Sequence, residues 1–560
     1  MEKPWLKHYE ASVPPTIDYP QMPLFTLMEE TARKYPENTA TLFFGGKLSW
    51  AELASLTDRF AAALAGLGVK KGDRAAILLP NCPQYIVAYY GILKAGGIVV
   101  PTNPLYSERE VEFQLNDSGA ETIITLTKFY PLIKNVRAKT RLKNVIVTNI
   151  KEYFSPLIRV LFTVFKEKKE GHRVEIDAGP GTYLFQDLVA RYGADQVPKV
   201  DVLPSDVACY LYTGGTTGVP KGAVLTHRNL LVNAIQCKHW VPDVQEGKET
   251  ILSVLPFFHS YGMTTCMNLS ACTAATVAML PRFELHDVLK LINKARPTLF
   301  PGVPTMYVAI NHAPDIAKYN LRSIRACLSG AAGLPVEVQN RFEELTGGRL
   351  VEGYGLSEAS PVTHANPIFG HRKVGSIGVP WPDTEAKIVD VETGERELAP
   401  GEVGELIIRG PQVMLEYWNK PEETRNALRN GWLYTGDIAK MDEDGYFYIV
   451  DRKKDMIIAG GFNVYPRDVE EVLYEHPKVK EAVVAGVPDE YRGETVKAYV
   501  VLKGGETATP EEIIEFCKGK MAKFKVPTLV EFRETLPKTM VGKVLRRVLV
   551  EEEKRKKGMA

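Results

Sequence analysis

Residues 207–222 have the sequence VACYLYTGGTTGVPKG, in which an apolar run leads into a glycine-rich loop. The apolar run 207–211 predicts a buried β-strand. The loop after it carries four glycines, three threonines and one lysine, and its N–H groups, hydroxyls and ammonium suit a chain of phosphates. It is not a Walker A loop, because Pro220 precedes Lys221 and Gly222 follows it, where that motif requires Gly and then Ser or Thr. The alternative, a glycine-rich turn without a ligand, is disfavoured by the length and order of these residues.

The residues before this loop alternate between helical and strand patterns. Ser49 and Glu52 have the spacing of a capping box, and apolar residues follow them at helical intervals. Residues 75–79 and 98–100 predict short buried strands, with a helix over 85–94 between them. This alternation predicts an α/β fold, in which parallel-rich sheets are covered by helices.

The pattern changes towards the C-terminus. From residue 385 onwards, short strands bounded by Gly, Pro or Asp indicate a small β-rich subdomain, and then a small α+β domain follows the charged run 451–455. We therefore predict a large N-terminal domain over 1–450, a hinge over 451–455 and a small mobile C-terminal domain over 456–560. The charged residues 551–557 are predicted to form a frayed, solvated end.

The composition is that of an ordinary globular protein. Hydrophobic residues make up 45% and charged residues 24%, which excludes a disordered chain. The net charge of +1 provides no general attraction for nucleic acid, so no nucleic-acid partner is expected. Seven cysteines form no CxxC pair or regular framework, which indicates buried thiols in a reducing compartment.

No targeting or membrane-spanning segment is predicted. The first residues, MEKPWLKHYE, lack the apolar stretch of a signal peptide. Residues 250–281 lack charges but contain too many polar side chains for lipid, so they predict buried helix and strand. We therefore expect a cytoplasmic protein.

Residues 153–176, YFSPLIRVLFTVFKEKKEGHRVEI, differ in composition from their surroundings. A largely apolar run containing Arg159 leads into Lys166, Lys168 and Lys169. One interpretation is an amphipathic element on an anionic membrane surface, which would add peripheral membrane contact through 153–169. The other is a surface insertion packed on the domain. The sequence leaves both open.

Six further segments have recognisable sequences. In chain order they are PFFHSYG (256–262), EGYGLSE (352–358), GWLYTGD (431–437), DRKKD (451–455), GGFNVYP (460–466) and PKTMVGK (537–543). With the glycine-rich loop, they resemble the motifs of the adenylate-forming superfamily, which includes acyl-CoA synthetases, luciferases and peptide-synthetase adenylation domains. The resemblance covers roughly residues 24–548. Residues 461–466 and the tail through 547 are similar to those of long-chain fatty-acid–CoA ligases. Gly214 stands where many members have Ser, and Ser357 keeps the hydroxyl of the usual Thr.

The resemblance implies an AMP-forming acyl-CoA synthetase that joins a medium- or long-chain fatty acid to coenzyme A. The acid would attack the α-phosphate of ATP, and the CoA thiol would then displace AMP. ATP and CoA are the implied cosubstrates and Mg²⁺ the implied cofactor. The alternatives are another acid (aryl or short-chain), another acceptor, or a non-catalytic nucleotide-binding regulator. The implied partners are therefore small molecules. The acyl chain length stays open, and so does the oligomeric state, for which a homo-oligomer is one alternative.

The resemblance also implies the nucleotide site. Its ATP-binding residues would be Thr213, Gly214, Gly215, Thr216, Thr217, Gly218, Lys221, Gly353, Tyr354, Gly355, Ser357, Asp437, Arg452 and Lys543. Thr216 and Glu358 would hold Mg²⁺, for which hydroxyl and carboxylate oxygens are suitable ligands. Tyr354 would stack on adenine, with the glycines on either side of it allowing close backbone approach. Asp437 would accept both ribose hydroxyls.

The remaining implied roles concern catalysis and movement. Lys543 would reach the reacting carboxylate and α-phosphate from the mobile domain. Arg452 would contact ribose or phosphate, and His259 would position the acyl group. Asp451 would be the hinge residue, because a change of φ/ψ at one residue can swing a small domain. Gly460, Gly461 and Lys454 would bind CoA.

Overall fold

The computed structural model describes residues 3–177, 179–213, 220–453, 455–459, 462–489, 493–539 and 544–556. The chain falls into two compact units. The larger unit comprises Trp5–Glu385 and Arg409–Gly431, and the smaller unit comprises Met1–Pro4, Ala386–Ile408 and Trp432–Ala560. The predicted division into 1–450, a hinge over 451–455 and 456–560 stays a prediction.

The helices of the larger unit are α1 Thr26–Lys34, α2 Trp50–Gly66, α3 Pro83–Lys94, α4 Glu108–Ser118, α5 Tyr130–Arg137, α6 Pro156–Phe165, α7 Phe185–Arg191, α8 His227–Trp240, α9 Ser260–Gly262, α10 Leu269–Thr273, α11 Leu285–Ala295, α12 Pro304–Asn311, α13 Val336–Thr346 and α14 Pro421–Ala427. A π-helical turn, Met263–Asn268, joins α9 to α10, and Ser357–Ala359 forms a 3₁₀ turn. The helices of the smaller unit are α15 Pro466–Tyr474, α16 Pro510–Lys518 and α17 Arg546–Lys556.

The strands of the larger unit are β1 Thr39–Phe43, β2 Gly46–Ser49, β3 Arg74–Leu78, β4 Ile98–Pro101, β5 Thr122–Leu126, β6 Asn144–Thr148, β7 Thr182–Leu184, β8 Val207–Thr213, β9 Lys221–Thr226, β10 Thr250–Ser253, β11 Thr276–Met279, β12 Leu299–Gly302, β13 Ala326–Ser329, β14 Arg349–Gly355, β15 Val362–Ala365, β16 Val379–Pro380, β19 Glu416–Tyr417 and β20 Leu428–Arg429. The other strands are β17 Glu385–Val389, β18 Gly404–Arg409, β21 Trp432–Met441, β22 Phe447–Arg452, β23 Ile457–Ala459, β24 Phe462–Val464, β25 Val479–Asp489, β26 Gly493–Leu502 and β27 Leu529–Phe532.

Two sheets form the larger unit. Their strand orders are β19-β9-β8-β4-β3-β5-β6-β7 and β16-β15-β14-β13-β12-β10-β11-β1-β2. Pairing is parallel through the middle of each sheet and becomes antiparallel where β8 turns into β9 and where β14 turns into β15. Two of the predicted nucleotide-binding segments, the glycine-rich loop between β8 and β9 and residues 353–358, occur in the sequence at these two changes of direction. The predicted α/β class with parallel-rich sheets is therefore confirmed.

Local signals in the sequence account for these elements. Helix α2 begins at the predicted capping box, in which the Ser49 hydroxyl accepts from the Glu52 N–H and the Glu52 carboxylate accepts from the Ser49 N–H. Residues 250–281 form buried strands and short helices, as predicted. No helix in the described part of the chain is long and apolar enough to cross a membrane.

The smaller unit contains one sheet with the order β17-β18-β21-β22 and another with the order β24-β23-β26-β25, to which β27 adds beside β26. The predicted frayed end is wrong for residues 551–556, which belong to α17. Leu549 of this helix is buried, and the Glu553 carboxylate lies 2.7 Å from the ammonium of buried Lys497. This pairing holds the charged end of the chain against the sheet.

Candidate active site

The glycine-rich loop connects two paired strands. In the β8–β9 hairpin, Thr213 is the register partner of Lys221 and Tyr212 that of Gly222. The chain therefore leaves β8 and enters β9 at adjacent points of the sheet. The predicted phosphate-binding residues Gly214, Gly215, Thr216, Thr217 and Gly218 lie outside the described residues.

Lys221 is fixed at the base of this loop. Its ammonium forms an ion pair with the Glu423 carboxylate of α14, and the side chain is only 12% exposed. The same ammonium lies 5.3 Å from the ring centroid of Tyr417. The lysine that the sequence predicts for phosphate binding is thus held beside the loop by a carboxylate and an aromatic ring.

Glu358 is held by the same aromatic residue. The Tyr417 hydroxyl donates a 2.7 Å hydrogen bond to Glu358 Oε1, and the Met414 N–H donates to the Glu358 carbonyl at 2.7 Å. Burial, followed by the negative charge of Glu358, raises the pKa of Tyr417 well above its usual value, so this hydroxyl stays a donor.

Strand β19 ties the two segments together. Its Tyr417 pairs with Ala223 of β9, while the Trp418 N–H donates to the Gly222 carbonyl at 2.8 Å. Because Tyr417 lies on β19, it brings the base of the glycine-rich loop and the turn of Glu358 into one network. The sequence alone does not identify Tyr417 or Glu423, since neither belongs to one of its recognisable motifs. The pairing of β19 with β9 reveals Tyr417, and the ion pair with Lys221 reveals Glu423.

Tyr354 lies on β14 opposite His364 of β15, with their rings edge to face and 5.9 Å between centroids. Contacts within the protein leave little room for a side chain at either of the glycines that flank Tyr354. A Cβ at Gly355 would lie 2.2 Å from the Pro361 carbonyl oxygen, and one at Gly353 would lie 2.7 Å from the side chain of Leu328. Gly355 thus allows the backbone at Pro361 to approach β14 closely, and Gly353 leaves room for the Leu328 side chain of β13. Stacking of Tyr354 on adenine stays a prediction.

Residues of two motifs meet beside Glu358. Ser260 Oγ lies 3.3 Å from Ser357 Oγ. His259 precedes α9 and accepts the Tyr261 N–H at its Nδ1, at 3.2 Å. His259, which is predicted to position the acyl group, and Ser357, which is predicted to bind ATP, therefore lie on adjacent segments of the larger unit.

In the smaller unit, two residues that are predicted to bind ATP form an ion pair with each other. Asp437 on β21 and Arg452 on β22 are register partners, and Arg452 Nε lies 3.1 Å from Asp437 Oδ1. The Asp437 carboxylate is therefore held beside a guanidinium. The catalytic candidate Lys543 and the CoA-binding candidates Lys454, Gly460 and Gly461 lie outside the described residues.

The predicted hinge residue Asp451 belongs to a strand. It pairs with Ile438 near the end of β22, and its buried carboxylate accepts the N–H groups of Arg452 at 2.7 Å and Arg467 at 2.8 Å. Burial raises the pKa of Asp451 to about 6, although the Arg546 guanidinium 3.5 Å away acts in the opposite direction. A rotation about Asp451 would have to break these contacts, and its role as the pivot stays a prediction.

The donor set around Glu358 fits a hydrated, phosphate-bound cation. No group of three or more His, Cys, Asp or Glu able to hold a metal ion occurs among the described residues. Glu358 contributes one carboxylate, and one of its oxygens accepts from Tyr417. A single carboxylate with substrate and water oxygens is typical of Mg²⁺ in nucleotide sites.

Comparison with known protein families finds two matching domains. The family of AMP-binding enzymes matches residues 28–418, and the AMP-binding enzyme C-terminal domain matches residues 468–543. The chain is 50% identical over 554 residues to a long-chain-fatty-acid–CoA ligase of Bacillus subtilis, covering 99% of this chain and 98% of the relative. It is 41% identical over 560 residues to the ligase of that name from Escherichia coli O157:H7, with coverage of 99% and 98%.

Solved structures with the same fold include an ATP-bound protein and a fatty acyl-CoA synthetase. ATP-bound MatB from Rhodopseudomonas palustris is 30% identical, with a TM-score of 0.82 and coverage of 95% of this chain and 99% of that one. A fatty acyl-CoA synthetase from Mycobacterium tuberculosis is also 30% identical, with a TM-score of 0.72 and the same coverage.

Proposed function

Because the chain belongs to the family of AMP-binding enzymes, we propose that it joins a long-chain fatty acid to coenzyme A, using ATP and forming an acyl-adenylate. The observation that carries this proposal is the 50% identity, end to end, with a long-chain-fatty-acid–CoA ligase. The chain is an acid–thiol ligase, and ATP and CoA are its cosubstrates.

In the first step, a fatty-acid carboxylate oxygen attacks the α-phosphorus of ATP. A new P–O bond forms, the bond to the β-phosphate breaks, and pyrophosphate leaves. Two anions meet in this step, so the protein has to supply positive charge and hydrogen-bond donors. Lys543 is proposed to act at the α-phosphate, and Lys221 at the phosphate chain beside the glycine-rich loop.

In the second step, the CoA thiolate attacks the acyl carbonyl of the adenylate. A C–S bond forms, the C–O bond to AMP breaks, and the thiol proton passes to solvent. His259 is proposed to position the acyl group, while Gly460, Gly461 and Lys454 are proposed to contact CoA. Movement of the C-terminal domain about Asp451 is proposed to separate the two steps.

Magnesium is proposed to be held by Glu358 and Thr216 together with phosphate oxygens. When bound, Mg²⁺ would neutralise negative charge on the phosphates. Tyr417 orients Glu358 through its hydrogen bond, so we assign it the role of a positioning residue. Glu423 keeps Lys221 beside the loop through an ion pair that the phosphates would share.

The residues that would contact the nucleoside are also part of the proposal. Tyr354 would stack on adenine, with Ser357 and Thr213 bordering the nucleotide. Asp437 and Arg452 would hold the ribose, as their cross-strand ion pair keeps both groups in place. A cytoplasmic location is part of the proposal, and contact with a membrane is a separate proposal from the reaction itself.

Pyrophosphate release tests the proposal. The full chain is incubated with ATP and Mg²⁺ and with acids from acetate to oleate, plus benzoate and coumarate, with and without CoA. We expect CoA-dependent turnover that is highest for long aliphatic acids. Steady release without CoA would indicate another acceptor, and an optimum at an aryl or short acid would contradict the substrate class.

A further inference from the structure

Helix α6 presents its apolar face to the outside. Its exposed apolar side chains are Leu157 (71% exposed), Val160 (61%), Leu161 (47%), Val164 (67%) and Phe165 (71%). Their spacing of three and four residues is that of the face which a helix normally buries. Among the side chains that the structure describes, no other helix or strand presents more than one large apolar residue with comparable exposure.

The opposite face of α6 is firmly packed. Phe162 is buried, and its ring lies 5.4 Å from that of Phe154 and 5.8 Å from that of His172, measured between centroids. Phe154 in turn packs against Phe43 and Phe44 of the first hairpin, at 5.4 and 4.7 Å. The helix is therefore anchored in the larger unit, and its outer face is held in a fixed direction.

Two acidic groups next to α6 are neutralised by cations. The Glu152 carboxylate lies 3.1 Å from Arg159, and that of Glu167 lies 2.6 Å from Lys151. Glu167 is also bound by the Asn149 amide at 2.9 Å and is buried. These carboxylates consequently contribute little repulsion towards an anionic surface.

Exposed lysines follow directly after the apolar face. Lys166, Lys168 and Lys169 are all exposed, and the nearby Glu170 lies 4.0 Å from Lys166. An apolar helix face bordered by lysines has the chemistry of a surface that enters the headgroup region of an anionic bilayer.

The size of this face argues against a second copy of the chain as its occupant. A helix of ten residues is about 15 Å long. A contact made by one such face falls well short of the roughly 1,000 Å² that a stable interface buries. A bilayer imposes no such minimum area, because it surrounds each apolar side chain individually.

We propose that α6 and Lys166, Lys168 and Lys169, together named the α6 patch, dock the enzyme on an anionic lipid bilayer. Leu157, Val164 and Phe165 enter the acyl boundary, and the lysines contact the anionic headgroups. The proposal rests on the proposed function in one respect. Long-chain fatty acids partition into bilayers, so a docked enzyme lies next to the membrane-dissolved pool of its substrate.

The test compares three forms of the full chain. They are the unaltered protein, the variant Leu157→Gln/Val164→Gln/Phe165→Gln, and the control Leu105→Gln/Val336→Gln/Phe369→Gln, which removes three exposed apolar side chains outside the patch. Binding is measured by co-sedimentation with vesicles of phosphatidylcholine alone and of phosphatidylcholine mixed with phosphatidylglycerol. Turnover is measured with albumin-solubilised fatty acid, and molar mass by light scattering.

We expect the patch variant to lose vesicle binding by about tenfold or more, while the control binds like the unaltered protein. Binding should weaken without phosphatidylglycerol, and turnover on solubilised acid should be equal in all three forms. Equal vesicle binding by the patch variant and the unaltered protein would overturn the proposal. The proposal would also be overturned if the unaltered protein were a dimer that does not bind vesicles, and only the patch variant were a monomer. Absence of turnover in the unaltered protein, together with intact vesicle binding by that protein, would instead refute the proposed reaction.

Discussion

The substitution Tyr417→Phe isolates the link between the glycine-rich loop and the predicted magnesium ligand. It removes the hydroxyl that donates to Glu358 Oε1 at 2.7 Å and keeps the ring beside Lys221. The carboxylate would then lack this hydrogen-bond donor. We expect weaker use of MgATP, with the fatty-acid and CoA sites unaffected.

The magnitude follows from the type of hydrogen bond. A bond to a charged acceptor contributes about 1.5–3 kcal/mol, and Glu358 is half-buried, which reduces that figure. We therefore expect a loss of about 1–2 kcal/mol in transition-state stabilisation, or about 5–30-fold in kcat/KM for MgATP. The half-saturating Mg²⁺ concentration should rise by a similar factor.

The assay is initial-rate pyrophosphate release at several concentrations of ATP and Mg²⁺. Tyr19→Phe is the matched control, because the Tyr19 hydroxyl donates to the Asp383 carboxylate at 2.8 Å in the same unit. It should lower stability to a similar extent and leave the MgATP kinetics unchanged. An unchanged or higher kcat/KM in Tyr417→Phe, or an equal loss in both variants, would refute the positioning role.

Three further changes have defined outcomes. Lys543→Ala should abolish formation of the adenylate and largely preserve transfer from supplied acyl-adenylate to CoA, and equal loss of both steps would contradict the assignment. Burial lowers the pKa of His227 to about 4, so between pH 6.5 and 4 the unfolded chain binds the proton more readily and stability falls as pH falls. Between pH 7 and pH 5, the free energy of unfolding of His227→Gln should therefore fall by about 2 kcal/mol less than that of the unaltered chain. Denaturant unfolding at the two pH values measures this difference. Identical falls in the two proteins would contradict a neutral, buried His227 ring. Gly355→Ala places a Cβ 2.2 Å from the Pro361 oxygen and should cost about 1–3 kcal/mol by thermal unfolding. Gly504→Ala, with nothing within 4 Å, should cost far less, and equal melting temperatures would contradict the packing argument.

The sequence predicts the fold class well because the relevant signals are local. The capping box at Ser49 and the apolar run before the glycine-rich loop each specify an element from neighbouring residues. The motifs likewise identified His259, Ser357 and Glu358, which the structure brings into adjacent segments.

Contacts between distant segments could not be predicted in this way. Tyr417 and Glu358 are separated by 59 residues, and Lys221 and Glu423 by 202. Their meeting depends on the pairing of β19 with β9, for which no local pattern is specific. Charge alone likewise indicated a frayed end at 551–557, whereas the partner of Glu553 is a lysine buried in the sheet.

Helix α6 shows the same limit of prediction from local sequence. The apolar spacing of 153–169 was apparent in the sequence, but the direction of the apolar face was open. A periodic pattern defines a face, and only the packing of Phe162 against Phe154 determines which face turns inward.

The central claim is that the fatty acid is activated by attack on the α-phosphate of ATP. Oleate labelled with ¹⁸O in both carboxyl oxygens tests it, with the AMP and pyrophosphate analysed by mass spectrometry after turnover with CoA. The account predicts AMP that carries one labelled oxygen and pyrophosphate that carries none, because the carboxylate oxygen stays on the α-phosphorus when CoA displaces AMP. Unlabelled AMP, or label in pyrophosphate or in ADP, would contradict it.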